Sequence, residues 1–369
     1  MTTRIAIIGG GISGLHAASL LTARGMPCTL FESRDRLGGR GLSVAHDTGN
    51  PAAPLAHVDL GPAWFWPDAQ PRITALVREL GVPVFPQYAS GAMRVERFRL
   101  EAAQSFVPDE GMVPDALRFQ DGVQSLVAAL ARSLPPTTIR LSTAITSIAD
   151  DSKSGCLLHA AAGEIFTAHH VIVAVPPRVA AHQLSFTPAL RDAIVHEMRA
   201  TPTWMAPHAK MLAVYDTPFW RADGFSGMAS SFVGPLQEIH DASPVSGVGA
   251  LFGFMGIGAG ARRTKGEAGL RERVLAQLVR LFGARAASPR AVYFKDWAAD
   301  PDTATADDLE PSPTPHGPGT PELSSGLWDG RLFFASAEVA QQHPGYMEGA
   351  LLAAERAVAQ IEQSVHDSR

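Results

Sequence analysis

The 369-residue chain is poor in cysteine, with only Cys28 and Cys156. Two cysteines cannot form a disulfide framework, which excludes a stapled secreted scaffold and makes a reducing, cytoplasmic setting the expectation. Charge is sparse at 18% of residues, and a balance of −5 leaves no basic footprint for nucleic acid or an anionic membrane. Long hydrophobic runs are missing too. The stretch 247–261 is apolar but glycine-rich, and at about fifteen residues it falls short of the roughly 20 that span a bilayer. The apolar start is broken by Gly9, Gly10 and Gly11 and lacks a cleavage pattern, so it reads as a strand and helix rather than a leader. The polar tail ending at Arg369 suggests no anchor. Internal repeats, metal-ligand spacing, a nucleophile elbow and a phosphate-transfer loop are all absent. What is there is 46% hydrophobic, enough for two closely packed domains. Composition permits a dimer without requiring one, so the oligomeric state stays open.

The strongest positive signal opens the chain. Ile5-Ala6-Ile7-Ile8 reads as a strand, Gly9-Gly10-Gly11-Ile12-Ser13-Gly14 as a tight turn, the residues to Arg24 as a helix, and Cys28-Thr29-Leu30-Phe31 as a second strand closing on Glu32. This is the layout of a dinucleotide-binding βαβ unit. Gly9 allows the turn, Gly11 lets backbone approach a pyrophosphate, and Gly14 lets helix and strand pack closely. The first helical turn offers free N–H groups and a positive dipole end to the phosphates. Glu32 can accept from both ribose hydroxyls, and its charge would repel the extra phosphate of NADP. FAD and NAD remain.

The next residues, Ser33-Arg34-Asp35-Arg36-Leu37-Gly38-Gly39-Arg40, resemble the Gly-Gly-Arg extension of FAD-binding oxidoreductases, whose arginine fork matches phosphate oxygens. Near the other end stand Ala335-Ser336-Ala337-Glu338 and Gly345-Tyr346-Met347-Glu348-Gly349-Ala350. Together these blocks resemble the flavin-containing monoamine oxidase family. Ser336 stands where that family has glycine. The resemblance implies an α/β fold: a doubly wound, Rossmann-like FAD-binding domain with an inserted mixed-sheet substrate domain. The expected division is 1–70, 115–185 and 326–369 for FAD, with 71–114 and 186–325 for substrate.

It also implies FAD contacts from Gly9, Gly11, Ile12, Ser13 and Gly14 of the turn, from Glu32, Ser33 and Arg34 near the ribose, and from Gly39 and Arg40 at the pyrophosphate. Ala337, Glu338, Gly345, Tyr346 and Met347 would close the site from the C-terminal end. Val58-Asp59-Leu60-Gly61-Pro62-Ala63-Trp64 resembles the family segment that runs past the flavin ring, with Pro62 replacing a glycine. Gly61, Pro62, Ala63 and Trp64 are therefore expected at the ring, whereas Trp66 reads as core. Register within a strand expected over 140–148 puts Ile145 at the adenine.

Further along, the pattern predicts a helix over 71–80 capped by Gly81, another from 121, and one over 267–282 ending at Gly283. Residues 171–175 read as a buried parallel strand, stopped by Pro176 and Pro177, where the chain is expected to leave for the substrate domain. Residues 303–327, with Pro311, Pro313, Pro315 and Pro318, read as loop.

Lys210 lies ten residues before Trp220, the family's spacing for a lysine that holds a water against flavin N5. By itself, a lysine beside an apolar strand reads as an edge residue; the resemblance gives it a catalytic role. Tyr346 would be one aromatic wall facing the flavin, and Trp297 would flank the ring. Counting from Trp297 toward the second wall lands on Ala306 and Asp307, neither aromatic nor cysteine. That implies noncovalent FAD and an incomplete aromatic cage. His343 reads as structural. The implied activity is oxidation of a small molecule, an amine, by hydride transfer to N5 with molecular oxygen as acceptor. The alternatives are a desaturase or dehydrogenase of a hydrophobic substrate, and a flavin-binding protein without turnover.

Overall fold

The computed structural model describes residues 4–47, 55–109, 115–151, 155–310 and 320–367. The Pro311–Pro318 run and the last tail residues lie outside the described residues.

A five-stranded parallel sheet carries the cofactor-binding layers, in the order Ile139–Arg140, Cys28–Phe31, Ile5–Ile8, His170–Val173 and Leu332–Phe334. All four residues of Ile5–Ile8 are buried, as a strand covered on both faces requires. Helices Ile12–Ala23, Val123–Arg132 and Met347–Asp367 fill one face with Leu15, Leu126 and Leu351. The other face is covered by a four-stranded sheet, whose Ile148 and Leu158 pack with Ala6, Ile8 and Val171.

The strand expected over 140–148 is two strands in two sheets, Ile139–Arg140 and Ile145–Asp151. Between them the N–H groups of Ser142 and Thr143 donate to the carbonyls of Arg34 and Glu32, and Ser142 takes φ 51°. Recruiting those donors takes the chain off the first ladder and sends it into the second sheet.

A seven-stranded mixed sheet forms the other unit. Its order is Ala291–Asp296, Ala209–Tyr215, Gly249–Met255, Leu236–Asp241, Phe225–Ser231, Ala92–Glu96 and Gln104–Phe106. Helix Ala259–Phe282, kinked at Gly266, packs Leu270, Val274 and Leu278 on one face beside Met211 and Leu251. The opposite face carries Leu212 and Phe252 against Val58, Leu60 and Trp64. This second contact brings the two units together around the site.

Two stretches expected in the substrate unit pack with the cofactor layers instead. Pro177 opens a helix, Pro177–Gln183, a position that suits proline's fixed φ and missing N–H. Strand Ser185–Thr187 then pairs with Ile145–Asp151, and helix Asp192–Ala200 puts Ile194 and Met198 into the same core. The chain therefore leaves after residue 200. Helix Pro71–Glu79 likewise sends Ile73, Leu76 and Val77 into the first core.

That helix has no side-chain cap of its own. Its free N–H groups are met from a distant helix: Arg72 and Ile73 donate to the two carboxylate oxygens of Glu348 at 3.0 and 2.8 Å. Glu348 is buried. Glu348→Ala is expected to lower stability by about 2 kcal/mol, because the buried Ile73 N–H and the part-buried Arg72 N–H lose their acceptor. The check is a fall in the urea midpoint at unchanged slope; an unmoved midpoint would refute the cap.

Candidate active site

The glycine turn is shaped by what each missing side chain leaves free. Gly9 has φ +110°, a left-handed conformation open to glycine. A methyl on Gly14 would overlap the Gly9 carbonyl, so helix and turn meet there only without one. At Gly11 the side-chain direction is empty, with no atom within 4 Å. The first turn of Ile12–Ala23 has no side-chain cap, so its N–H groups face that open space. Gly39 packs behind Gly11, while the Gly38 N–H donates to the Gly10 carbonyl at 2.8 Å.

Glu32 is buried and held in place. One oxygen accepts from the Gly10 N–H at 2.7 Å, the other from the Arg34 N–H at 2.9 Å and the Ser33 hydroxyl at 3.2 Å. The Arg34 guanidinium is engaged by Asp300 at 2.6 Å and Thr303 at 3.2 Å. Arg34 and Ser33 thus orient Glu32 and tie it to the loop after Trp297. Arg40 pairs with Glu338 at 2.6 Å and donates to the Trp204 carbonyl at 2.9 Å. The second Glu338 oxygen is buried without a hydrogen-bond partner, and so is the Ser336 hydroxyl.

A cavity of about 520 Å³ joins this turn to the substrate sheet. Of the expected residues, Gly11, Ile12, Ser13, Arg40, Gly61, Pro62, Ala63, Trp64, Lys210, Trp297, Ala337, Gly345, Tyr346 and Met347 line it. Gly9, Gly14 and Gly39 support the turn from behind, and Glu32 and Glu338 stand beside it. Ile145 starts its strand buried in the second core, two residues after Thr143, whose N–H donates to the Glu32 carbonyl.

Lys210 sits in Ala209–Tyr215 between two antiparallel neighbours, 3% exposed. Its Nζ donates to the carbonyls of Gly61 at 2.8 Å and Asp59 at 3.2 Å. It also lies 4.0 Å from the centroid of the Phe252 ring. Burial lowers its pKa from 10.5 to about 7; the Asp59 carboxylate opposes this shift and Arg118 adds to it. The amine is therefore poised between charged and neutral near neutral pH. His208, also on the wall, is pushed toward its neutral form by burial and by Arg262.

The aromatic surroundings differ from the sequence reading. Trp66, expected in the core, is half-buried on the cavity wall, its ring edge-on to Tyr346 at 6.1 Å. Trp204 also lines the cavity, 5.9 Å from Tyr346 and tilted by 33°. Trp297 is fixed by its indole N–H, which donates to the Leu60 carbonyl at 3.2 Å. His343 has φ 51° and contacts Tyr346 edge-on without lining the cavity.

Positions 306 and 307, reached by counting from Trp297, are not at the cavity. They belong to the short turn Ala306–Asp308, where Asp307 pairs with His182 at 2.9 Å and accepts from Arg178. The noncovalent reading rests instead on where the cysteines are. Cys28 and Cys156 lie in strands Cys28–Phe31 and Gly155–Ala160, away from the lining, and burial pushes both thiols up to about 11. Neither is presented as a thiolate to a flavin.

Sequence reasoning missed Trp204, Met205, His208, Gln237, Glu238 and Phe254, all on the wall. Trp204 and Met205 sit in an irregular segment with no periodicity to follow, and Met205 takes φ 62°. Glu238 follows a register shift in its strand, which disguises the alternation that would have pointed it inward. Among the described residues no group of His, Cys, Asp or Glu could hold a metal ion, and no helix is long and apolar enough to cross a membrane.

The features present fit a flavin dinucleotide. Space over Gly11, an uncapped helix end, a buried ribose-type acceptor in Glu32 and an orphaned Glu338 oxygen gather at the turn, and the cavity that Gly11 lines also reaches Lys210. Comparisons with known proteins agree. Residues 85–362 match the flavin containing amine oxidoreductase family, and residues 7–80 match an NAD(P)-binding Rossmann-like domain. The chain is 26% identical to the putative flavin-containing monoamine oxidase AofH of Mycobacterium tuberculosis, covering 98% of this chain and 96% of that one. It is 29% identical to the probable flavin-containing monoamine oxidase A of Dictyostelium discoideum, over 68% of this chain and 54% of that protein's length. Among solved structures, a putrescine oxidase bound to putrescine superposes with TM-score 0.82 at 20% identity, covering 98% of this chain and 99% of that one. Cyclohexylamine oxidase from Brevibacterium oxydans gives 0.82 at 19% identity, covering all of both chains.

Proposed function

This chain belongs to the flavin-containing amine oxidoreductase family and is an FAD-dependent oxidoreductase, and from that premise we propose that it oxidises a small amine, with molecular oxygen as the final acceptor. The observation that carries the reading is Lys210, a buried amine on a cavity wall shared by the glycine turn and an aromatic box.

The N–H groups at Gly11, Ile12 and Ser13 would hold the pyrophosphate, Glu32 a ribose, and the free Glu338 oxygen a hydroxyl of the cofactor chain. FAD, when bound, would supply the acceptor for the two electrons that leave the amine's α-carbon as hydride. Tyr346, Trp66 and Trp204 strip water from the entering amine and favour its neutral form, since a charged ammonium is costly to desolvate. In its neutral form Lys210 gives both hydrogens to the Gly61 and Asp59 carbonyls. That leaves its lone pair to hold a water and accept a proton; the protonated form offers a third hydrogen instead.

The test is the visible spectrum of acid-precipitated protein, followed by anaerobic titration with a broad amine panel. Colour released to the supernatant is expected, followed by bleaching of the holoenzyme with at least one amine. Colour retained in the pellet would refute noncovalent binding. Released flavin that no amine bleaches would remove the amine reading and favour a desaturase of a hydrophobic substrate or a flavoprotein without turnover.

A further inference from the structure

Glu32, the ribose acceptor of the reading above, has a cation beside it. Arg34 Nη1 stands 3.7 Å from Glu32 Oε1, inside ion-pair range but too far for a hydrogen bond. A guanidinium that closed this gap would occupy the acceptor and cancel the charge that draws a ribose hydroxyl. What holds it off is Asp300, whose Oδ1 accepts from Arg34 Nη2 at 2.6 Å. Thr303 accepts from the same nitrogen at 3.2 Å, and the more exposed Asp302 stands 3.6 Å from Nε. Asp300 is the closest of the three restraints.

The second Asp300 oxygen is committed elsewhere. Oδ2 accepts from Lys295 Nζ at 2.6 Å. Lys295 lies on edge strand Ala291–Asp296 and pairs directly with Lys210, so it projects from the sheet face that carries Lys210. Its ammonium sits 4.5 Å from the centroid of the Trp297 ring, and Trp297 lines the cavity. The Asp300 N–H donates to the Trp297 carbonyl at 3.1 Å, which fixes the carboxylate relative to the indole. Burial pushes the Asp300 carboxyl up, but Lys295 and Arg34 outweigh it and hold the carboxyl below the usual range. Asp300 is thus an anion between two cations, one from the cofactor layers and one from the substrate sheet.

We propose that Asp300 is a positioning residue with two duties: it holds the Arg34 guanidinium away from Glu32, keeping that carboxylate open to the cofactor's adenosine ribose, and it holds Lys295 over Trp297, setting the indole on the cavity wall. This rests on Glu32 being the ribose acceptor. Without the Asp300 charge, Arg34 closes the short remaining distance to Glu32 and competes with the ribose. At the other end Lys295 loses its only close anion and leaves the face of the indole. One carboxylate therefore sets both the adenosine end of the cofactor site and a wall of the substrate cavity.

The experiment titrates the flavin-free, full-length chain with FAD and with ADP, which carries the adenosine ribose and phosphates but no flavin. Asp300→Asn keeps the shape and removes the charge, and its affinity for both ligands is expected to fall about tenfold, the range of one charge-assisted hydrogen bond. Adding Arg34→Met is expected to restore binding several-fold, because the competing guanidinium is gone; a variant that had merely lost its fold could not be rescued by a second truncation. The other end is read by fluorine NMR of fluorotryptophan-labelled protein, with the Trp297 signal assigned through Trp297→Phe. Asp300→Asn is expected to shift that signal in the same direction as Lys295→Met, since both take the ammonium off the ring. Unchanged ADP affinity in Asp300→Asn, or no recovery in the double variant, overturns the role at the ribose; an unmoved Trp297 signal in Asp300→Asn overturns the role at the wall. Wild type that binds FAD but not ADP would refute the ribose reading of Glu32 and this assignment with it. No arm needs an amine, so the proposed oxidation of amines stands or falls separately.

Discussion

Replacement of Lys210 by methionine is expected to slow reaction of the reduced enzyme with oxygen about a hundredfold, the usual loss when one preorganised polar group is removed from a water-excluded site. Anaerobic reduction by substrate is expected to change only a few-fold, because the aromatic box that positions the amine is untouched. The two half-reactions, followed separately by stopped-flow, give the check; equal slowing of both, or of neither, would remove Lys210 from its proposed role. Arginine should not rescue the defect, since its guanidinium is permanently charged and cannot offer a lone pair. The wild-type rate of reoxidation should also titrate near pH 7, where the buried amine changes charge, and that step should vanish in the methionine variant.

The same residue leaves a mark on stability. With a folded pKa of about 7 against an ordinary 10.5, the unfolded chain holds the Lys210 proton more tightly between those values. Stability therefore rises with pH across that window, and the full penalty of charging a buried amine is present below it. In the flavin-free protein, wild type should gain thermal stability relative to Lys210→Met as pH goes from about 7 to about 10. A parallel pair of curves would mean that the amine is not desolvated.

A single methyl at Gly14 is expected to strip the protein of its flavin. It would meet the Gly9 carbonyl, which cannot move without opening the turn that joins Ile5–Ile8 to Ile12–Ala23. Overpacking of this kind costs about 1–3 kcal/mol, and FAD affinity should drop on the order of a hundredfold as the helix end is displaced. Gly11→Ala separates the two effects. Its methyl points into open space, so the flavin-free fold should melt as wild type does while FAD binding falls sharply. Flavin retention on gel filtration and apo-protein melting decide it. Normal binding by Gly11→Ala would show that the pyrophosphate does not pass there.

What could be read in the sequence was mostly local. Ile5–Ile8, the glycine turn and Cys28–Phe31 announce themselves through periodicity and turn chemistry within some thirty residues. Helix Pro71–Glu79 was marked by its apolar spacing and by Gly81. Lys210 was reached by its spacing from Trp220, and it lies on the cavity wall. What stayed hidden depends on partners remote in sequence. The break after Arg140 comes from Arg34 and Glu32 drawing off two N–H groups. Counting forward from Trp297 reached Ala306 and Asp307, which the structure places in a short turn beside His182 and not on the cavity wall. Trp66 and Trp204 gave no inward signal because neither lies in a stretch long enough to show a period. Glu238 was masked by the shift of register beside it.

The parallel sheet has a consequence for how the molecule is made. Leu332–Phe334 supplies its edge, and the Ser13 hydroxyl of the first helix donates to the Ala335 carbonyl, 322 residues away. A nascent chain thus exposes Ile5–Ile8 and the glycine turn long before the strands that bury them emerge. His170–Val173 comes midway, and the far wall of the cavity, with Tyr346 and Met347, comes almost last. Long-range closure of this kind is slow and leaves apolar strands unpaired in the interim. The flavin site is therefore expected to be complete only at the end of folding. Chains starved of flavin during synthesis should accumulate as aggregates, whereas riboflavin supplied to the expressing cells should raise soluble yield without altering the rate of translation.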